Sequence, residues 1–292
     1  MIDRPHRDPR LRPRSVALVG TLVLVVALSA CGSSAGSDAA ATTAPPTTAA
    51  PTTEAPTTAA PAHPLRVLVT NDDGVGADGI DAVVNALSAL PDTTVTVVAP
   101  LTNQSGTGGN TTAGALTVAD AKTKSGYAAK AVTGFPADTI RVAIDEEHLE
   151  VDLVVSGINL GQNLGPNVDL SGTVGAARAA AAHGIPALAA SQGVGKAGLD
   201  WASGAKYVLM WVADHRAALL AGTAPKVVAN MNIPSCAGGS IRGELEVAAP
   251  PLPIEGALAL QDCSATGSDY TTDVTAFNDG YVTLTEPLRP KA

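Results

Sequence analysis

The chain has 292 residues, of which 46% are hydrophobic and only 3% aromatic, and it carries a formal net charge of −9. That length and apolar content suit one large hydrophobic core and exclude a wholly disordered chain. The acidic balance argues against a protein that grips nucleic-acid polymers through their phosphates.

Residues 1–31 read as an address. Arg4, Arg7, Arg10, Arg12 and Arg14 precede the apolar run VALVGTLVLVVALSA, and Leu28-Ser29-Ala30-Cys31 closes it in the manner of a bacterial lipobox. At roughly 15 residues the run falls short of the about 20 that a spanning helix needs. This predicts a processed signal peptide, a lipidated Cys31, export across the bacterial inner membrane and a lipid anchor as the sole membrane contact. Residues 32–64 are almost entirely Ala, Thr, Pro, Ser and Gly. Such a segment buries too little apolar surface to fold, and reads as a disordered linker reaching up to roughly 100 Å if extended as polyproline II. Beyond residue 31 the chain holds 13 basic and 25 acidic residues, a net of −12. Residues 65–292 are left for a single folded domain.

Arg66 to Gly79, RVLVTNDDGVGADG, opens that domain. VLV reads as a buried parallel strand that breaks at Asn71, Asp72 and Asp73. Ala77–Leu90 has helical apolar spacing and is stopped by Pro91, and Thr94–Ala99 reads as a second strand. A long polar loop, Pro100–Thr112, is followed by strand-like pieces near Ala115–Val118 and Ala128–Val132, then by a helix from Pro136 to about Glu147. Val151–Ser156 is a further strand, breaking into the loop GINLGQNLGPN. Ser171-Gly172-Thr173 opens the helix VGAARAAAAH, with Gly184 and Pro186 beyond its end. Pro186–Ala190 reads as strand, Leu199–Leu220 as helix, Lys226–Met231 as strand. From about Arg242 onward the pattern is β segments and turns without helices. The alternation predicts a Rossmann-like, doubly wound, mostly parallel α/β sheet with a β-rich C-terminal extension. Cys236 and Cys263 lack metal-ligand spacing, and outside the cytoplasm they suit a disulfide.

Three strand-end loops share one chemical character. The first offers Asn71, Asp72 and Asp73; the second Asn103, Gln104 and Ser105 among glycines; the third Ser156, Asn159 and Asn163. Two adjacent carboxylates repel unless a cation or donors compensate, and the C-terminal ends of parallel strands are where ligands bind. Carboxylate, hydroxyl and amide oxygens suit Mg²⁺, Mn²⁺ or Ca²⁺. The helix opening at Ser171, Gly172 and Thr173 reads as an anion seat beside that cation, fitted to phosphate. No P-loop lysine is present, so nucleoside triphosphate hydrolysis loses support.

TNDDGVGADGI, APLTNQSGTGG, VVSGINLGQNLG with SGTVGAARAAAAHGIPALAAS, NMNIP and DVTAFNDGYVTLTEPL together resemble the SurE family of survival-protein nucleotidases, in order over about Leu65 to Leu288. The resemblance implies a metal-dependent phosphatase acting on nucleoside 5′- and 3′-monophosphates, using one divalent metal ion, Mg²⁺ or Mn²⁺. Asp72, Asp73, Ser105 and Asn159 match the family's metal ligands, with Asp72 and Asp73 as the catalytic acids. Asn71, Asn163, Ser171, Gly172 and Thr173 fall where the phosphate is held. It also implies a homodimer or higher homo-oligomer. The chain departs from the family at Leu101, Gln104 and Phe135, the last standing where GTPAD is usual. Two other readings compete. A haloacid-dehalogenase-like phosphatase needs Asp-x-Asp, and Asn71 stands two before Asp73. A cell-surface lipoprotein binding nucleotide or metal without turnover fits the leader and linker equally well.

Overall fold

Successive side chains of a strand point to opposite faces, and β1 (Leu65–Thr70) shows the consequence. Val67 and Val69 join one apolar core with Ile80, Val84, Val208 and Val212. Leu68 joins a second with Ile140, Val174 and Ala177. A strand buried on both faces needs apolar residues at every position, which is what VLV supplies; each fully buried Val or Leu contributes about 1.5–3 kcal/mol.

The computed structural model describes residues 63–195, 198–251 and 255–291. The signal sequence, Cys31 and the linker lie outside the described residues. After β1 come α1 (Asp78–Ser88), β2 (Thr93–Pro100), β3 (Thr117–Lys122), β4 (Ala128–Thr133) and α2 (Pro136–Arg141). They are followed by β5 (Leu153–Leu160), α3 (Gly172–Ala182), β6 (Ala187–Gln192), α4 (Trp201–Leu220) and β7 (Val228–Ile233). Last are β8 (Glu244–Glu246), α5 (Asp273–Asn278) and β9 (Val282–Thr285). The sheet order is β3-β4-β2-β1-β5-β6-β7-β9-β8. The six strands from β4 to β7 in this order run parallel; β3 is antiparallel to β4 and β9 to β7. Helices α1 and α4 cover one face, α2 and α3 the other. This is the doubly wound α/β sheet expected.

Three expectations need correction. The strand read as Val151–Ser156 runs on to Leu160, so Gly157 and Asn159 belong to β5 and not to a loop. Pairing with β6 carries it onward, through a register shift between Ser156 and Asn159. The helix expected from Pro136 to Glu147 is α-helical only to Arg141 and widens into a π-helical turn over Val142–Glu146. The segment after Arg242, expected to be helix-free, contains α5. Thr272 caps it by accepting from the Thr275 N–H, and Val274, Ala276 and Phe277 are buried. Six residues are too few to display a 3.6-residue period in sequence.

Small residues set how closely α3 approaches its neighbours. A Cβ on Gly175 would stand 2.0 Å from the Gly108 carbonyl oxygen, so the long polar loop lies directly on the helix. Gly175→Ala is therefore expected to cost about 1–3 kcal/mol of stability, because backbone must move. Gly76→Ala, where a Cβ meets nothing within 4 Å, is the control expected to leave the denaturant midpoint almost unchanged.

Candidate metal and phosphate site

The site is built on the C-terminal ends of β1, β2 and β5, neighbours in the sheet. At the end of β1 the four loop residues divide their work. The Thr70 hydroxyl bonds to that of Thr139 at 2.8 Å. Asn71 folds back on its own turn: its amide donates to the Gly74 carbonyl at 2.9 Å and its oxygen accepts from the Gly74 N–H at 3.2 Å. Fully buried, Asn71 shapes the loop and does not line the cavity, which corrects its expected substrate contact.

Asp72 is 3% exposed, and its position is dictated by α3. The Thr173 hydroxyl donates to Asp72 Oδ1 at 2.6 Å. The N–H groups of Thr173 and Gly172 also favour the ionised carboxylate. Gly172 permits this approach, since a Cβ there would stand 2.7 Å from the Asp72 Cβ. The next two N–H groups of the helix are taken up as well, Val174 by the Ser171 hydroxyl at 3.1 Å and Gly175 by the Ser171 carbonyl at 2.9 Å. The helix N-terminus thus has an anion seated on it, and that anion is Asp72. Gly172 and Thr173, expected to hold phosphate, instead support the carboxylate; Ser171 does line the cavity.

Burial pushes the Asp72 carboxyl up from its ordinary value despite those donors. Asp73 is pushed up to about 6, by burial against the pull of the Leu160 N–H, with the Asp72 charge adding to the rise. Among the described residues no cationic side chain offsets either group. Such a pair calls for a bound cation, whose charge would reverse both shifts.

Asp72, Ser105, Asn159, Asn163, Asn167 and Ser171 line one cavity of about 530 Å³. The register shift in β5 aims Asn159 into it, as bulges commonly do. Its amide donates to the Gly161 carbonyl at 2.7 Å, which leaves the side-chain oxygen as the free end. Ser105 is placed by Asn103, whose oxygen accepts the Ser105 N–H at 2.9 Å. Asp73 turns the other way and lines the adjoining cavity. There its Oδ2 accepts from the Leu160 N–H at 2.9 Å and its Oδ1 from Asn103 at 3.3 Å. Three of the four expected metal ligands therefore share a cavity, and the fourth, Asp73, lines a neighbouring one that has Leu160 in common with it. Carboxylate, hydroxyl and amide oxygen form a set that fits a hard divalent cation. Among the described residues no three His, Cys, Asp or Glu side chains gather as a metal site, so a ligand set here depends on hydroxyl and amide oxygens beside the carboxylate.

Asn163 is tied into a buried polar knot. Its amide donates to the Ser191 hydroxyl at 2.9 Å, and its carbonyl accepts from Asn230 and Asn232. Asn167 escapes a reading by motif, because it lies at the end of the third loop without belonging to the ligand set. Gly74, Gly76 and Gly79 also fall on the G-x-G-x-x-G spacing of dinucleotide-binding turns. The geometry gives them another role. A Cβ on Gly79 would meet the Ile158 carbonyl oxygen at 1.8 Å, and Asp78 and Asp81 in the first turn of α1 repel a pyrophosphate. Cys236 and Cys263 form a disulfide, with their Cα atoms 5.6 Å apart.

Residues 67–249 match the family model described as survival protein SurE. The chain belongs to the SurE family. The 5′-nucleotidase SurE of Syntrophobacter fumaroxidans is 39% identical over 181 residues, covering 61% of this chain and 70% of that protein. The 5′-nucleotidase SurE of Methanopyrus kandleri is 44% identical over 134 residues, 44% of this chain and about half (49%) of that protein. The crystal structure of the SurE protein from Aquifex aeolicus superposes with a TM-score of 0.60 at 28% identity, covering 75% of this chain and 92% of that one. The matched stretch of this SurE-family chain contains Asp72, Asp73, Ser105, Asn159 and Ser171, and therefore the whole polar floor of the cavity.

Thr173→Val keeps the shape of the side chain and removes the donor to Asp72. It is expected to cost about 1–3 kcal/mol in chemical denaturation, the penalty for an unsatisfied buried partner. Thr173→Ser should restore most of the loss.

Proposed function

We propose that this SurE-family chain is a 5′/3′-nucleotidase that releases phosphate from nucleoside monophosphates with one bound divalent metal ion, Mg²⁺ or Mn²⁺. The observation that carries the reading is Asp72. It is a buried carboxylate anchored by Thr173, sharing one cavity with the oxygen donors of Ser105 and Asn159. The named activity of the relatives supports the same reaction class.

The residues divide the chemistry between them. Asp72, Ser105 and Asn159 would hold the cation, and Asp73, which lines the adjoining cavity, would add its charge nearby. When bound, the cation supplies Lewis-acid chemistry toward a phosphate oxygen and the attacking water. Ser171 accepts from the Val174 N–H, so its own O–H remains free to donate to a phosphate oxygen. Asn167 lines the same wall with an amide. Donors fixed before the reaction begins stabilise developing charge without reorganisation. Thr173 acts one step back, as a positioning residue that holds Asp72 in its rotamer.

Phosphate release from adenosine 5′- and 3′-monophosphates is expected to vanish with chelator and return with Mg²⁺ or Mn²⁺. Asp72→Asn should lower kcat/KM by at least about 100-fold with an unchanged circular-dichroism spectrum. Full activity in that variant, or saturable nucleotide binding with no phosphate release by the unaltered chain, would overturn the assignment.

We further propose that the protein works outside the cytoplasm, anchored through lipid on Cys31. Support comes from the leader motif and from the Cys236–Cys263 disulfide, since such bonds persist in oxidising compartments. Cys31→Ala is expected to abolish fatty-acid incorporation and release the protein from the membrane fraction. Membrane retention of that variant would contradict the anchor.

A further inference from the structure

Seven large apolar side chains lie exposed among the described residues, and five of them line the one cavity that holds Asp72. They are Leu160 (54% exposed), Leu170 (64%), Val194 (41%), Leu258 (78%) and Leu260 (51%). Scattered exposed leucines need no explanation, but apolar surface gathered at the rim of a polar cleft marks a binding surface. The floor of this cavity is hydroxyl, amide and carboxylate, fitted to a cation and a phosphate. Its rim has the opposite chemistry.

Leu258 and Leu260 are not exposed for want of a core to enter. Their neighbour Ala257 packs onto an apolar cluster of Leu164, Val274 and Phe277, and Gln261 and Cys263 on the same loop are buried. The loop turns those side chains inward and leaves the two leucines facing the cleft. Several bonds hold it in that attitude. Gln162, beside the cavity floor, reaches the Ala257 and Ala259 carbonyls at 3.4 and 3.3 Å. Asn278 donates to the Gly256 carbonyl at 2.9 Å, and the Gln261 oxygen accepts from the Ser235 N–H at 3.2 Å. The disulfide ties Cys263 to Cys236, just after β7. Both leucines lie beyond residue 249, past the stretch that matches the family model.

We propose that Leu258 and Leu260, with Leu160, Leu170 and Val194, form the wall against which the nucleobase of the substrate packs, and that the Cys236–Cys263 disulfide is the positioning device for that wall. This rests on the nucleotidase reading and deepens it. The polar floor takes the phosphate, and the apolar rim selects phosphomonoesters whose alcohol carries a flat apolar group. Floor and rim act on different parts of the substrate, so they separate in kinetics.

The test uses the full chain with Mn²⁺ and compares adenosine 5′-monophosphate with ribose 5-phosphate, which has the same phosphate and sugar and no base. The unaltered protein is expected to favour the nucleotide in kcat/KM. The Leu258→Ser, Leu260→Ser double variant, which adds no charge beside the phosphate, should raise KM for the nucleotide at least about tenfold, the lower end of the scale for lost apolar contact. Its kcat for the nucleotide and its kcat/KM for ribose 5-phosphate should stay unchanged. Reduction of the disulfide, checked by circular dichroism for an intact fold, should shift nucleotide KM in the same direction and spare ribose 5-phosphate. Equal losses on both substrates, or no change on either, would overturn the proposal and leave the nucleotidase reading standing. A wild-type chain that cleaves ribose 5-phosphate as well as the nucleotide would do the same. A chain that cleaves neither substrate removes the nucleotidase reading itself.

Discussion

A carboxylate removed from water must find replacement donors or lose its charge, and the architecture around Asp72 answers that demand. The donors come from one place, the first turn of α3: the hydroxyl of Thr173 and the N–H groups of Thr173 and Gly172. That requirement fixes where α3 begins. It also explains why glycine stands at 172, where a side chain would press on both Asp72 and Pro136. β1 then has to deliver Asp72 to that helix, which it does from the middle of the parallel strands with β2 and β5 at its sides. The donors do not fully compensate burial, so the Asp72 carboxyl stays above its ordinary value. The metal reading rests on the oxygen donors of Ser105 and Asn159 that share the cavity of this carboxylate.

Much of this was readable from residue types. The VLV run, the β-branched second strand and the small-residue helix each encode their burial directly, and the doubly wound sheet follows from their alternation. The oxygen-donor character of the three strand ends was equally open to inspection, because ligand chemistry is a property of side chains rather than of their placement. The pairing of Cys236 with Cys263 was suggested by their lack of metal-ligand spacing.

Direction was not readable. Nothing in Asn71-Asp72-Asp73 says that the first residue ties down Gly74, the second faces the polar floor of one cavity and the third faces the cavity next door. Adjacent loop residues diverge according to which neighbours supply donors, and those neighbours, Gly74, Thr173 and Leu160, are as many as 101 positions away. Asn159 reaches the cavity through an irregularity in β5 that depends on pairing with β6. Leu258 and Leu260 carry no motif at all. Ordinary leucines in a turn-rich stretch become informative only when their exposure is seen to coincide with a cleft.

The order of strands at the far edge has a consequence for what supports each part of the cleft. β9 is the last strand in the chain, yet it lies between β7 and β8. β8 therefore belongs to the sheet only through β9. Asp72, Ser105 and Asn159 stand at the ends of β1, β2 and β5, in the middle of the sheet, where each strand has a neighbour on both sides. Leu258 and Leu260 instead lie on a loop held from the edge, by Asn278 at the end of α5 and by the bridge to Cys236. Removing Val282–Thr285 would release β8 and leave β1 paired with β2 and β5. The donors of the cleft thus rest on the centre of the sheet, and Leu258 and Leu260 on the edge, so edge substitutions reach one without the other.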